Sequence, residues 1–406
     1  MAAARLLYVT SSFPYGLNDR FFAPEVQELL RQGVDVMSVP VRPRGPLTTP
    51  DAESLTQKRA LLDFEIARTA LLEILADPAA AARAFALLCR SPAPRTLLRN
   101  VAAFPKALWL ASLARSWKAD HIHAHWAGPP STVALLASKL SGVPWSFTAH
   151  ADDIAANNLL REKSASAKFV RFIAEGMMDR ARITAPGIDE SRWVLVRFGV
   201  EVPQQPPRNE APNDPPVLLM AARFAPEKRH DLVLEATRRL IDRGVEIEVW
   251  FAGPESPLEE RAKQLAHRLD LDGVVRFRGF VPRATVLDWL GSGDVDCVVL
   301  ASDREGLPVS LIEALSHRVP AIGTEVGGIP ELLGDGCGEL VPADDADALA
   351  DAIERVLRTP ALRAGVVEAG RARVEREFAV QSVVRRLKTL LEFPENAEAA
   401  APVDLS

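Results

Sequence analysis

Residues 294–333 read DVDCVVLASDREGLPVSLIEALSHRVPAIGTEVGGIPELL. The stretch opens with an apolar run at 295–301, short enough to be a buried parallel strand. Ser302-Asp303-Arg304-Glu305-Gly306 follows as a polar, turn-prone segment. Residues 307–317 then read as a helix, with Pro308 near its first turn, where the missing N–H costs nothing. A second strand at 320–324 leads into Gly327-Gly328, and Pro330-Glu331-Leu332-Leu333 begins another helix. The pattern is strand–loop–helix twice over. Its loops open at the carboxyl ends of the strands, where open α/β sheets bind ligands.

The first loop has chemistry to offer. Gly306 lets the backbone approach a ligand closely, and the unpaired N–H groups at the start of the next helix suit a phosphate. Glu305 in the loop and Glu313 about two turns into the helix can face one crevice. Carboxylates repel a phosphate unless they bind neutral hydroxyls, so the spacing suggests two acids gripping sugar hydroxyls on either side of a diphosphate. Taken bare, such a pair reads as two solvated glutamates on a surface helix, and the surrounding residues have to decide.

Composition bounds the rest. A chain of 406 residues forms two or three domains with an ample core. The net charge of −6 argues against a general nucleic-acid binder. Cys89, Cys297 and Cys337 are widely spaced, which fits neither a disulfide framework nor a zinc site and agrees with a reducing cytoplasm. The N-terminal apolar run is too short for a signal peptide, and no apolar run approaches the roughly 20 residues of a membrane span.

Along the chain, residues 6–10 read as a first strand, followed by a polar turn at 11–20, a helix ending at Gly33 and a strand at 34–39. This is a βαβ unit with its first loop at a nucleotide crevice. Residues 55–118 read as several helices. Between 83 and 118 every charge is positive, and Phe104, Leu108, Trp109 and Trp117 lie among the basic residues. Such a stretch can lie on an anionic membrane face, or can be helices packed on the sheet with snorkelling arginines. His121, His123 and His125 alternate and share one strand face. Without companion carboxylates or thiols they read as lining or supporting a cleft rather than holding a metal. A strand at 144–149 delivers His150-Ala151-Asp152-Asp153. Residues 201–216 hold six prolines and mark a semi-rigid linker. A strand at 217–222 then delivers Arg223 and Lys228, two cations ahead of a helix that together could neutralise a diphosphate.

Glu305-Gly306-Leu307-Pro308, Glu313-Ala314, Pro320 and Gly327-Gly328-Ile329-Pro330-Glu331 together resemble the retaining glycosyltransferases of family 4. SFTAHADD at 146–153 and the Arg223–Lys228 separation resemble two further motifs of that family. The loop through Asn18-Asp19-Arg20-Phe21 resembles its exopolysaccharide subgroup.

The resemblance covers nearly the whole chain, most firmly 217–341. It implies an α/β GT-B fold, two Rossmann-like domains facing a central cleft. Residues 1–200 would form the acceptor-side domain, 217–376 the nucleotide-sugar domain, 377–393 a helix crossing back, and 394–406 a disordered tail. It implies retaining transfer of a sugar from a UDP- or GDP-linked donor to a glycan or lipid-linked acceptor, without cofactor or metal. Catalytic roles would fall to His150, Arg223, Lys228 and Glu305. The donor would meet Gly16, Gly253, Gly279, Phe280, Gly306, Leu307, Pro308, Val309 and Glu313. The acceptor side would take Asn18, His150, Asp152 and Asp153. The expected place is the cytoplasm, peripheral at the inner face of the plasma membrane. A nucleotide-sugar epimerase, a glycosyl phosphorylase and a non-catalytic sugar- or lipid-binding module are the alternatives. Three positions depart from the family pattern: Ala151 and Arg229 stand where Gly is usual, and the first loop has Gly16 without a second glycine.

Overall fold

The computed structural model describes residues 3–16, 22–49, 52–61, 63–204 and 211–393. Asn18, the middle of the Pro-rich segment and the expected tail lie outside the described residues.

Two compact units form. The first comprises 1–199 with 380–406, and the second comprises 200–379. The first unit holds a parallel sheet of β1 (Arg5–Thr10), β2 (Asp35–Pro40), β3 (His121–His125), β4 (Trp145–Ala149), β5 (Val170–Phe172) and β6 (Trp193–Leu195). The spatial order is β2-β1-β3-β4-β5-β6. β3 and β4 are buried along their whole length because helices cover both faces of the sheet, even though β3 carries three histidines and β4 a serine and a threonine.

The second unit repeats the plan with β7 (Val217–Ala221), β8 (Glu248–Ala252), β9 (Val275–Gly279), β10 (Cys297–Leu300), β11 (Ala321–Thr324) and β12 (Glu339–Val341), in the order β12-β11-β10-β7-β8-β9. Each sheet therefore reverses its winding once, between β1 and β3 in the first and between β7 and β10 in the second. At such a switch point the two flanking loops diverge to opposite faces and leave a crevice at the carboxyl ends of the strands.

The last helix, Val380–Leu391, completes the core of the first unit. Val380, Val384 and Leu391 pack with Leu6, Phe22, Val26, Leu29 and Phe169. Burying one such aliphatic side chain contributes roughly 1.5–3 kcal/mol. Gly199 permits the close approach, since a Cβ there would stand 2.6 Å from the Val380 Cα.

In the 83–118 stretch most of the apolar residues that lie among the basic ones turn inward. Phe104, Leu108, Trp109 and Leu110 are core residues of the Pro94–Ser116 helix. Lys106 is buried too, donating to the carbonyls of Pro40 and Arg59 at 2.5 and 2.7 Å. The exposed large apolar residues of this region are Phe64, Leu71, Leu72, Ile74, Leu75, Phe85 and Leu98, mostly on the Phe64–Ala76 helix. Among the described residues no helix is long and apolar enough to cross a membrane.

Candidate functional site

In the second unit the two loops flanking the switch point are residues 222–229 after β7 and 301–308 after β10. They are tied by main chain: the Asp303 N–H donates to the Glu227 carbonyl at 2.9 Å. Between them the Lys228 ammonium meets the Glu305 carboxylate, both side chains only 14% exposed. The Ser302 hydroxyl donates to the same Glu305 oxygen at 3.2 Å, and the Gly306 N–H lies 3.3 Å from the other. Glu305 is thus held before any ligand arrives, and Lys228 already has a counterion.

Glycines set how closely these loops pack. Gly327 has φ +57°, and a Cβ there would stand 1.8 Å from the Glu305 carbonyl oxygen. A Cβ on Gly328 would stand 2.3 Å from the Gly306 oxygen, to which the Gly328 N–H donates at 2.7 Å. Only glycine permits both the dihedral and the contact. On the other side a Cβ on Gly253 would stand 2.1 Å from the Ala222 oxygen, and the Gly253 N–H donates to the Gly279 carbonyl at 2.9 Å. Gly279 itself has φ +64°. These expected donor-site glycines hold the loops at the ends of β7, β8 and β9 together. Phe280, beside them, is exposed.

Glu313 is buried on the Val309–Ser316 helix and faces Arg283, with Nε to Oε1 at 2.5 Å. Burial raises its pKa above the ordinary carboxyl range, and the Arg283 guanidinium works against that rise. Arg283 was not foreseen: it opens the Arg283–Ser292 helix, 30 residues from its partner, and only the fold joins them. Pro308 is the N-cap rather than a first-turn residue, Val309 is the first helical residue, and Leu307 is buried. Their backbone, not their side chains, is what this loop presents.

Arg223 is largely exposed and pairs with Glu227 at 3.0 Å. Arg229 occupies the left-handed region at φ 51° as the N-cap of the His230–Asp242 helix, the conformation for which glycine is the usual residue. Its guanidinium pairs with Asp231 and Asp344. A cavity of about 330 Å³ lies against this loop, lined by Phe224, His230, Arg261 and Arg268 among others. Lys228, Glu305 and Glu313 do not line it.

In the first unit His150 ends β4 and caps the short Ala151–Ala155 helix. Its Nε2 lies 3.0 Å from Nε2 of His125, and its ring lies 4.3 Å from the Trp126 ring. Burial, with Arg171 nearby, pushes its pKa down to about 3, so the imidazole is neutral. Asp152 is exposed. Asp153 serves the turn: its carboxylate accepts from the His150 and Ala127 N–H groups at 2.8 and 2.5 Å. Burial raises Asp153 to about 7 against those bonds, and the nearby Lys163 ammonium is lowered to about 7 by its own burial. Gly16, at φ +76°, accepts from the Thr48 hydroxyl at 2.9 Å.

The other two histidines of β3 have hydroxyl partners on β4. His121 Nε2 and His123 Nδ1 each lie 2.8 Å from the Ser146 hydroxyl, and His123 Nε2 lies 2.9 Å from that of Thr148. Asp296, of the Asp294-Val295-Asp296 sequence, is also spent within the fold. Its carboxylate accepts from the Val217 N–H at 2.8 Å and faces Arg363 at 3.5 Å. Among the described residues no group of three or more His, Cys, Asp or Glu side chains is arranged to hold a metal ion.

The family model described as glycosyl transferases group 1 matches residues 201–373. The chain is 30% identical over 295 residues to WcaL of Escherichia coli (strain K12), named for colanic acid biosynthesis as a glycosyltransferase. The match covers 69% of this chain and 72% of that one. It is 29% identical over 256 residues to the amylovoran biosynthesis glycosyltransferase AmsK of Erwinia amylovora, over 60% of this chain and 62% of that one. Its fold is similar to the crystal structure of Anabaena HepE in complex with UDP and glucose, with a TM-score of 0.70 at 14% identity, covering 96% of this chain and 99% of that one.

Proposed function

The chain belongs to the group 1 glycosyl transferases and has their two-domain α/β GT-B fold, and on that premise we propose that it moves a sugar from a UDP- or GDP-linked donor, with retention at the anomeric carbon. The observation that supports this most is the Lys228–Glu305 pair, held between the two loops of the second unit's switch point. A cation there meets a diphosphate, and an acid beside it meets sugar hydroxyls. When donor enters, Lys228 exchanges its carboxylate partner for phosphate oxygens, and Glu305 turns to a hydroxyl. Glu313 takes the ribose, with Arg283 holding its carboxylate in place.

Negative charge grows on the departing diphosphate as the glycosidic bond breaks. In this reading Lys228, the exposed Arg223 and the N–H groups at the start of the Val309–Ser316 helix meet that charge as it develops, so they stabilise the transition state more than the ground state. These groups supply the charge that a divalent metal would otherwise provide, and we assign no cofactor. We assign front-face substitution, with the leaving phosphate as base. His150, at the end of β4 in the first unit, belongs to the acceptor side.

The acceptor is a lipid-linked polysaccharide precursor in this reading, supported by the named roles of WcaL and AmsK. The Phe64–Ala76 helix would bring the enzyme to it. Phe64, Leu71, Leu72 and Leu75 are exposed there beside Arg68, while Glu73 is neutralised by Arg115 at 2.5 Å. Exposed Arg83, Arg90, Arg95 and Arg99 follow. Exposed apolar side chains, with the helix acids Glu65 and Glu73 paired to Arg59 and Arg115 and the basic 83–99 stretch following, suit an anionic bilayer face.

Incubation with a panel of UDP- and GDP-sugars, with and without membrane lipid extract, tests this by mass spectrometry. A glycosylated lipid is the expected product. An epimerised sugar from donor alone, or a sugar phosphate formed only with added phosphate, would replace transfer by epimerase or phosphorylase chemistry. Inert donors throughout would leave a binding module.

A further inference from the structure

Beneath His150 runs a buried polar chain that the proposed chemistry does not use. Tyr8 Oη lies 2.9 Å from Glu25 Oε1 and 2.9 Å from His125 Nδ1. His125 Nε2 lies 3.0 Å from His150 Nε2. The other Glu25 oxygen lies 2.8 Å from Arg171 Nη1, with the two side chains 1% and 0% exposed. Arg171 also donates from Nε to the carbonyl of Val196 at 2.8 Å and from Nη2 to that of Arg197 at 2.5 Å.

Counting protons fixes the direction of every bond. An ionised carboxylate only accepts, so Tyr8 gives its single hydroxyl hydrogen to Glu25. The Tyr8 oxygen must then accept from His125, which places that ring's hydrogen on Nδ1. The reverse choice would set two bare oxygens 2.9 Å apart inside the core. Burial keeps His125 neutral, with His150 and Arg171 nearby acting the same way, so its Nε2 carries a lone pair. The bond between the two rings then needs the hydrogen of His150. His150 is therefore the Nε2–H tautomer, with Nδ1 as its acceptor, and the capping box it closes with Asp153 fixes its backbone N–H on the carboxylate and turns its side chain to the Asp153 N–H.

We propose that Tyr8 and His125 are positioning residues for sugar transfer, through which the Glu25–Arg171 ion pair sets the tautomer and ring orientation of His150. The proposal rests on the reading of His150 as a site residue. It commits the single ring proton of His150 to His125, so His150 orients its neighbours in transfer and does not act as a proton donor. It also explains why a tyrosine, a glutamate and an arginine from three separate elements are buried together.

Nitrogen-15 NMR of histidine-labelled full-length protein tests the structural half, with His150 assigned by its own substitution. The expected result is a neutral His150 carrying its proton on Nε2 at pH 7. A proton on Nδ1 in the wild-type protein would overturn the proposal whatever any variant does. Tyr8→Phe tests the kinetic half. Loss of one tautomer-setting bond should mix the two His150 tautomers and lower kcat roughly tenfold, with KM for the donor changing less than about twofold. A Tyr8→Phe enzyme with a single Nε2–H tautomer and wild-type kcat would also overturn it. If His150→Ala turns over normally, the reading of His150 as a site residue fails, and the wild-type tautomer reports separately on the chain itself.

Discussion

Lys228 and Glu305 are 77 residues apart in sequence, and their side chains form an ion pair between adjacent loops because β7 and β10 are neighbours in the second sheet. The pair makes the free enzyme store its cation against an internal acid. Lys228→Ala removes charge stabilisation of the leaving diphosphate and leaves Glu305 without a counterion. Turnover should fall by more than roughly tenfold, about 1.4 kcal/mol of barrier, in a protein with an unchanged circular-dichroism spectrum. Unchanged kcat in the folded variant would remove Lys228 from the site.

Glu313 and Arg283 form the second pair, and here the acid is the deeper member. Arg283→Ala takes away the one influence that opposes the effect of burial on Glu313, so the carboxyl shifts further upward. The protonated form of Glu313 then gains ground as pH falls, and donor affinity should weaken most at the acid end of a titration. Donor affinity measured from pH 6 to 8 checks this. A variant whose loss is equal at every pH would contradict it.

Gly328→Ala tests whether loop approach matters as much as side-chain chemistry. The new Cβ would meet the Gly306 oxygen at 2.3 Å, so the 301–308 loop must move. Displacing a charge-stabilising group by about 1 Å costs on the order of a hundredfold in rate. The expected enzyme is folded, binds nucleotide weakly and transfers slowly. Wild-type kinetics would show that the glycine pair is dispensable.

Exposure on the Phe64–Ala76 helix gives a separate prediction. Leu71→Ser with Leu75→Ser removes two exposed apolar groups one turn apart, without touching the core. The double variant should lose sedimentation with phosphatidylglycerol vesicles and keep transfer to a water-soluble acceptor. Vesicle binding unaffected by the change, or absent in the wild type, would refute a membrane role for this face.

Acid should destabilise the first unit. Burial holds His121 and His150 down to about 3, and His123 and His125 well below their ordinary value. Unfolded histidines take up protons near pH 6.5, so below that pH the unfolded chain binds protons that the folded unit refuses. Each group can cost up to about 1.4 kcal/mol per pH unit within that window. Asp153, raised to about 7, acts the other way as pH falls and offsets about one such term, leaving the other three. The melting temperature should drop steadily from pH 6.5 to 5. A constant or rising value would contradict the neutral histidine cluster.

The fold was legible where burial leaves a one-dimensional trace. Strands such as β10 and β11 are covered on both faces, so they appear as short apolar runs between turn residues. The helix Pro360–Glu377 went unread because it buries Arg363, Arg371 and Arg373, whose charges mask any apolar stripe. The site was legible as motifs and illegible as pairs. Nothing near Glu313 points to Arg283, and nothing near His150 points to Tyr8 or Glu25, because strand order alone brings them together. The basic stretch at 83–118 was legible only as charge, for a related reason. Charge shows in a sequence, but which apolar residues of the Pro94–Ser116 helix turn inward depends on what packs against it.

Calorimetric titration of UDP and GDP into the full chain and its Lys228→Ala variant is the most direct measurement of the nucleotide site. One nucleotide should bind at a single site, and the variant should bind it at least roughly tenfold more weakly. Neither nucleotide binding the wild type, or equal affinity in the two proteins, would contradict the placement of the diphosphate at the second unit's switch point.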